Sequence, residues 1–413
     1  LQVNAVFLLV GLLVLSSLGG LLMTRRSGGG AGLPSGVEYA ALGFVLGPQV
    51  LGLVGARDLA AFEPVVEVAI GWLAFAVGLD YGFSDDRRVR AASLGLGSLS
   101  AIVTGGGVAA ATWFVTEARH TGMALGDRVL LSGGLGVACS ETTRYAVRWV
   151  ADRYRVRGGP LAQSFNELAH ADSLVPLVAV AVLLALDPSR DVVVPMPLWQ
   201  WPAITIGLAV VLGAGAALLL RSEMAIEDTW GILFGVCLLT IGVAARLALS
   251  TLTATFFMGI TVSGLSRHRH ELRAMVAPTE RPVLLPALLL AGARLDFRAM
   301  PALPWIAAAA IAARFAGKIL VGWVLLAGSA PARKVGVSVG LSLMSSGALA
   351  ICVALAFALR FPGPVGDTIL VVAVLSAIVG ELVGPARLRR SLAAAGEIED
   401  GAIRTPAPHP VQT

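Results

Sequence analysis

"SFNELAHADSLVPLVAVAVLLAL", residues 164–186, decides how the whole chain is read. Its second half is an apolar run fit for a bilayer, whereas its first half carries Glu167, His170 and Asp172. Crossing a hydrocarbon core of about 30 Å takes about 20 residues in a helix. At about 1.5 Å of rise per residue, Asp172 lies roughly 16 Å into this span, near its centre. An ionised carboxylate at that depth costs several kcal/mol unless it is paired, hydrated or protonated. Asp172 must therefore face a partner or a cavity.

The rest of the chain supplies the membrane context. Of 413 residues, 56% are hydrophobic and 14% charged, with a mean hydropathy of +0.81, which leaves too little polar surface for a soluble globule. Apolar runs near 3–23, 37–54, 63–83, 91–116, 128–150, 161–186, 199–220, 228–248, 250–266, 282–297, 303–327, 335–359 and 367–384 predict about thirteen helices. The expected fold is an all-α polytopic membrane protein, with one transmembrane domain over residues 1–390. The net charge of +5 sits in short basic clusters between apolar runs, without interleaved aromatics, which argues for membrane orientation and against nucleic acid as a partner. With the N-terminus outside, the inner loops collect 19 basic residues against 8 outside. This predicts N-out and C-in topology, with residues 391–413, "SLAAAGEIEDGAIRTPAPHPVQT", as a disordered cytoplasmic tail. The first run is followed by "TRRSGGG" and reads as a retained span. Cys139, Cys237 and Cys352 lie in apolar segments without metal-ligand spacing and read as buried free thiols.

Two landmarks recur at one offset. "LGFVLGPQVLGL" and "MGITVSGLSRH" place Gly43 and Gly259 216 positions apart, and "AFAVGLDYGF" and "LLLAGARLDF" place Asp80 and Asp296 at the same separation. An odd number of spans between the copies inverts one against the other. The expected organisation is two inverted-topology six-helix repeats, about 1–186 and about 228–390, joined by a connector helix over about 199–220. The fifth span of each half, "SGGLGVACSETTRYAV" (132–147) and "GLSLMSSGALAICV" (340–353), is rich in small and hydroxylated residues. These are the candidate discontinuous crossing helices, where unwound backbone meets an ion.

Lysine use sharpens the site. Lys occurs only at 318 and 334, and Lys318 lies about halfway through "IAAAAIAARFAGKILVGWVLLAG". An ammonium, unlike a guanidinium, can give up its proton in a desolvated site. Arg314 is one turn earlier on the same face and reads as a structural ion-pair partner, with Glu141 as its candidate mate. Ser, Thr and backbone oxygens beside a carboxylate suit a hard monovalent cation, so "ACSET" (Ser140, Glu141, Thr142), "ADS" (Asp172, Ser173) and "MSSG" (Ser345, Ser346) form the candidate ion path. Glu167 reads either as an entry-funnel group or a solvated one, and His170 as a helix histidine or a pH modulator. Nothing in the sequence resembles a phosphate loop, a zinc site or a catalytic triad, so neither an enzyme nor a resident cofactor is expected.

These motifs resemble the monovalent cation:proton antiporter superfamily, which includes sodium/proton exchangers and Kef-type potassium/proton antiporters. "LGFVLGPQVLGLV", "EVAIGWLAFAVGLDYGF", "LLPALLLAGARLDF" and "GLSLMSSGALAICVALAF" carry the likeness over residues 37–385. The resemblance implies that Asp172 binds the cation and the proton. It also implies that Lys318 or Arg314 is the basic residue opposite, with Lys318 favoured as titratable, and that Ser140 and Glu141 stand where relatives carry a Thr-Asp pair. Ala171, where many relatives have a second acid or an Asn, argues for electroneutral one-for-one exchange. The function implied is exchange of Na⁺ or K⁺ for H⁺ by alternating access, in a homodimer in a bacterial inner membrane. The alternatives are a sodium-coupled organic solute symporter and a membrane sensor that transports nothing.

Overall fold

The computed structural model describes residues 36–81, 91–156, 158–185, 197, 199–221, 226–266, 268–328 and 330–398. In chain order its helices are α1 (Val37–Leu46), α2 (Ala56–Asp80), α3 (Ala91–Ala118), α4 (Leu125–Ala138), α5 (Arg144–Arg153), α6 (Pro160–Ala171), α7 (Leu174–Ala185), α8 (Gln200–Leu219), α9 (Ile226–Arg246), α10 (Thr251–Leu265), α11 (Arg269–Ala293), α12 (Leu303–Gly328), α13 (Ala330–Val335), α14 (Ala348–Arg360) and α15 (Pro364–Ala394). A 3₁₀ segment, Val337–Leu343, precedes α14. Among the described residues 8 helices are long and apolar enough to cross a membrane, or 9 if the 3₁₀ segment and α14, bent by 59°, make one broken span. α1 and α10 are shorter apolar helices. The chain is an all-α polytopic membrane protein, the architecture that satisfies every backbone group without water.

Each expected span from the second to the thirteenth falls on one of these helices or broken pairs; the first, 3–23, lies outside the described residues. Several boundaries differ. The second span stops at Leu46, where Gly47 caps α1 and a turn through Gly52 at φ 63° follows. The tenth begins at Arg269, earlier than expected, and stays helical through Pro278, Pro282 and Pro286. The C-terminal tail is expected to begin at 391, but α15 runs to Ala394 and the next residues fold back, with Ile398 bridged to Val156. Residues 399–413 lie outside the described ones.

The helix breaks have local causes. In the fifth span the Ser140 hydroxyl donates to Val137 O at 2.9 Å, competing with the helical ladder, and the Thr143 side chain accepts from Tyr145 N to start α5. The sixth span turns at Asp172–Ser173, between α6 and α7. Pro176 explains this break, because it lacks an N–H and its ring disfavours a helical carbonyl four residues back, at Asp172.

The described residues form two compact units, named by their enclosing bounds. The first comprises Leu1–Gly55, Val89–Pro176 and Leu288–Thr413. Within it α12 lies against α3, α3 against α4, and α15 against both α14 and the 3₁₀ segment. The second comprises Ala56–Arg88 and Leu177–Ala287. There α10 lies between α2 and α8, Trp72 stacks on Trp230 with ring centroids 5.6 Å apart, Trp72 Nε1 donates to Thr279 Oγ1 at 2.8 Å, and Asp80 pairs with Arg273. Each unit contains a glycine-on-glycine crossing. A methyl group on Gly43 would meet the Leu289 carbonyl, and one on Gly292 the Ala40 carbonyl. In the second unit, one on Gly78 would meet the Phe256 carbonyl, and one on Gly259 the Phe75 carbonyl. Small residues let membrane helices approach backbone to backbone. The sequence landmarks Gly43 and Gly259 thus occupy the same kind of contact.

Candidate functional site

The two interrupted segments, 139–143 and 344–347, cross in the first unit, and the backbone joins them where Thr143 N donates to Ser345 O at 2.9 Å. Four half-helix ends therefore come together in an apolar interior, each with unpaired backbone groups and a partial charge. Four buried charged side chains meet these ends. Glu141 Oε2 accepts from Gly347 N and Ala350 N, both at 3.1 Å, and so caps the N-terminus of α14. Asp172 Oδ1 accepts from Thr142 N at 3.3 Å, just ahead of α5. Arg314 Nη2 donates to Glu141 O at 3.0 Å and Met344 O at 2.9 Å, tying the exits of α4 and the 3₁₀ segment together. Its Nη1 reaches Ser376 Oγ on α15 at 3.0 Å.

Lys318 completes the set. Its Nζ donates to Thr142 Oγ1 at 2.7 Å, Ser140 O at 3.1 Å and Ser100 Oγ at 3.4 Å, and lies 3.6 Å from Asp172 Oδ2. The Thr142 hydroxyl passes the network on by donating to Leu343 O at 3.2 Å. Lys318 and Arg314 are 0% exposed and Asp172 2%, so no solvent screens these charges and each must be matched within the protein. Gly347 leaves room for this meeting, since a methyl group there would press on Glu141 Oε1 and Thr143 Oγ1.

The geometry brings together most of the residues singled out from sequence. Of the two candidate basic partners for Asp172, Lys318 stands beside it, and Arg314 instead serves carbonyls. Two expectations change. Arg314 meets the backbone of Glu141 rather than its carboxylate. Glu141, expected on the ion path, spends its carboxylate on a helix terminus. Ser140 offers its carbonyl, while its hydroxyl is turned back into α4. Ser173 is buried beside Asp172, and the hydroxyls of Ser345 and Ser346 are buried with no hydrogen-bond partner among the described residues. Glu167 is half-buried and held by Ser93 Oγ at 2.5 Å and Gln163 Nε2 at 2.9 Å, away from the crossing. His170 is half-buried in the last turn of α6. Cys139, Cys237 and Cys352 are buried and free.

A family described as sodium/hydrogen exchanger, transmembrane, matches residues 13–386. The chain belongs to that sodium/hydrogen exchanger family. Membership supports cation/proton antiport, a transport activity and not enzymatic catalysis. Two solved structures share the fold: the sodium proton antiporter MjNhaP1 from Methanocaldococcus jannaschii at pH 8, with a TM-score of 0.68, and an electron-microscopy structure of the same antiporter, with a TM-score of 0.65. Each is 15% identical and aligns over 95% of this chain and 99% of the other. No curated protein matches by sequence.

Within this exchanger fold, sequence reading missed Ser100, Ser376 and the carbonyls of Leu343 and Met344. Ser100 sits in an apolar run dense with small residues, "SLGLGSLSAIVTGGG", where one hydroxyl does not stand out. The carbonyls have no sequence signal beyond the break itself.

Proposed function

We propose that this chain exchanges sodium for protons, with both ions competing for the carboxylate of Asp172. One observation carries the reading: Asp172 is buried at the open end of a half-helix, and its second oxygen faces a side-chain ammonium rather than a fixed amide. One carboxylate cannot hold H⁺ and Na⁺ at once, so occupancy by either excludes the other, and that exclusion couples the two fluxes. Lys318 faces Asp172 when the site holds neither ion. Thr142 Oγ1, Ser140 O and Ser100 Oγ already accept from it, so it can leave the carboxylate without losing its other bonds. The buried Ser345 and Ser346 hydroxyls supply further oxygens for a hard cation.

Exchange requires the site to face each side of the membrane in turn. We assign this to a movement of the helices of spans 4–6 and 11–13, in a fold of two inverted repeats whose swapped glycine crossings fit such a duplication. N-out, C-in topology, a homodimer and a bacterial inner membrane complete the proposal. Potassium is the alternative cation.

Everted vesicles loaded with a pH-sensitive dye test it. Sodium should dequench the dye in the wild-type chain, and Asp172→Asn should abolish this while the protein stays in the membrane. Dequenching undiminished in Asp172→Asn would refute the site, and solute-dependent sodium flux would point to symport. Competition also fixes a sign for pH. Where the proton occupies the site, each unit of acidification should raise the apparent sodium KM by about tenfold, with the maximal rate at saturating sodium held. A KM flat across pH would separate the two binding events.

A further inference from the structure

Glu397 lies beyond the last span, in the stretch expected to be a tail, yet it is buried. Its Oε1 accepts from Leu161 N at 2.7 Å and its Oε2 from Ala162 N at 2.8 Å. These are first-turn amides of α6, which have no partner inside the helix, and Pro160 at the helix start brings no N–H of its own. A carboxylate at this end also opposes the positive pole of the helix.

The chain is shaped around this contact. A methyl group on Gly159 would overlap the Glu397 carboxyl carbon. Gly396 turns with φ 78°, Glu397 N donates to Leu392 O at 2.9 Å, and Ile398 bridges to Val156. Ile398 joins Leu388 and Leu392 of α15 in one apolar cluster with Val147 and Val150 of α5 and Leu161 and Phe165 of α6. The segment 395–398 thus fastens the last helix to the far ends of α5 and α6. At their near ends those two helices carry the ion site: Thr142 and Thr143 lead into α5, and Asp172 closes α6.

We infer that Glu397 is a positioning residue for ion binding, clamping the N-terminus of α6 and so fixing where α6 delivers Asp172. α6 has 12 residues and is therefore about 18 Å long. A helix of three turns moves as a rod, and a shift at its clamped end reaches the carboxylate at the other. The inference rests on the antiport reading for its transport consequence and on the fold alone for the clamp.

The test uses the full-length chain in liposomes, with Glu397→Ala and Glu397→Gln; the glutamine keeps one acceptor oxygen. Amide hydrogen exchange at Leu161 and Ala162 should speed up by about tenfold in the alanine variant, the loss expected for a helix cap, with glutamine between alanine and wild type. Sodium KM should rise by about three- to tenfold in the same order, as expected when a reacting group is slightly misplaced, and the pH of half-maximal exchange should shift with it. Maximal rate at saturating sodium should stay within about twofold. Unchanged amide exchange would overturn the clamp. Faster amide exchange with wild-type KM and pH profile would reduce Glu397 to a structural cap and overturn the positioning role. A wild-type chain that moves neither sodium nor potassium would refute the antiport reading instead. In that event sodium-induced thermal stabilisation carries the test, and equal stabilisation of wild type and Glu397→Ala overturns the inference.

Discussion

Two half-helix N-termini meet in the first unit, and each faces a carboxylate. At α14, Glu141 accepts from two backbone amides at 3.1 Å. At α5, Asp172 accepts from one amide at 3.3 Å and faces Lys318 at 3.6 Å. A carboxylate held by two amides of a helix terminus cannot exchange them for an ion without loosening that helix. One whose principal partner is a flexible amine can make the trade. Under the antiport proposal the same electrostatic arrangement serves as structure at one end and as an exchangeable seat at the other.

Three substitutions probe the difference. The largest expected effect is Lys318→Ala, which strands Asp172 in a dry interior; thermal unfolding in detergent should show a loss of about 3–5 kcal/mol at a pH where the carboxylate is charged. A variant as stable as wild type would mean that Asp172 has another counter-charge. Glu141→Gln should cost less, about 1–2 kcal/mol, because one acceptor and the helix itself remain, and sodium–proton exchange should persist. Abolished exchange with a normal unfolding temperature would put Glu141 on the ion path and erase the contrast. Ser100→Ala should be the mildest, about 0.5–1 kcal/mol, since Lys318 keeps its shorter bonds to Thr142 and Ser140. An effect as large as that of Lys318→Ala would make Ser100 the main anchor of the ammonium.

The sequence was most informative where it broke its own pattern. Charges inside apolar runs pointed to Asp172 and Lys318, since burial makes such residues costly. Clusters of Gly and Ser located both interruptions, at 139–143 and 344–347. The break at Asp172 has its signal in Pro176, but hydropathy does not mark it, because the apolar run continues through it. Partners were harder to foresee. Glu141 meets Gly347 across 206 positions and Glu397 meets Leu161 across 236, and hydropathy has no bearing on which distant amide a carboxylate will cap. Arg314 and Lys318 lie one turn apart on one face, so sequence could not divide their tasks; the position of the two exits on Arg314 and of Asp172 on Lys318 does so.

Arginine's near-monopoly on positive charge gives the molecule a reporter of its own. The only two lysines are Lys334, exposed, and Lys318, sealed. An amine-directed label should mark the first at once and the second only when the chamber around it opens, so the rate of the slower modification would time that opening from within the native chain.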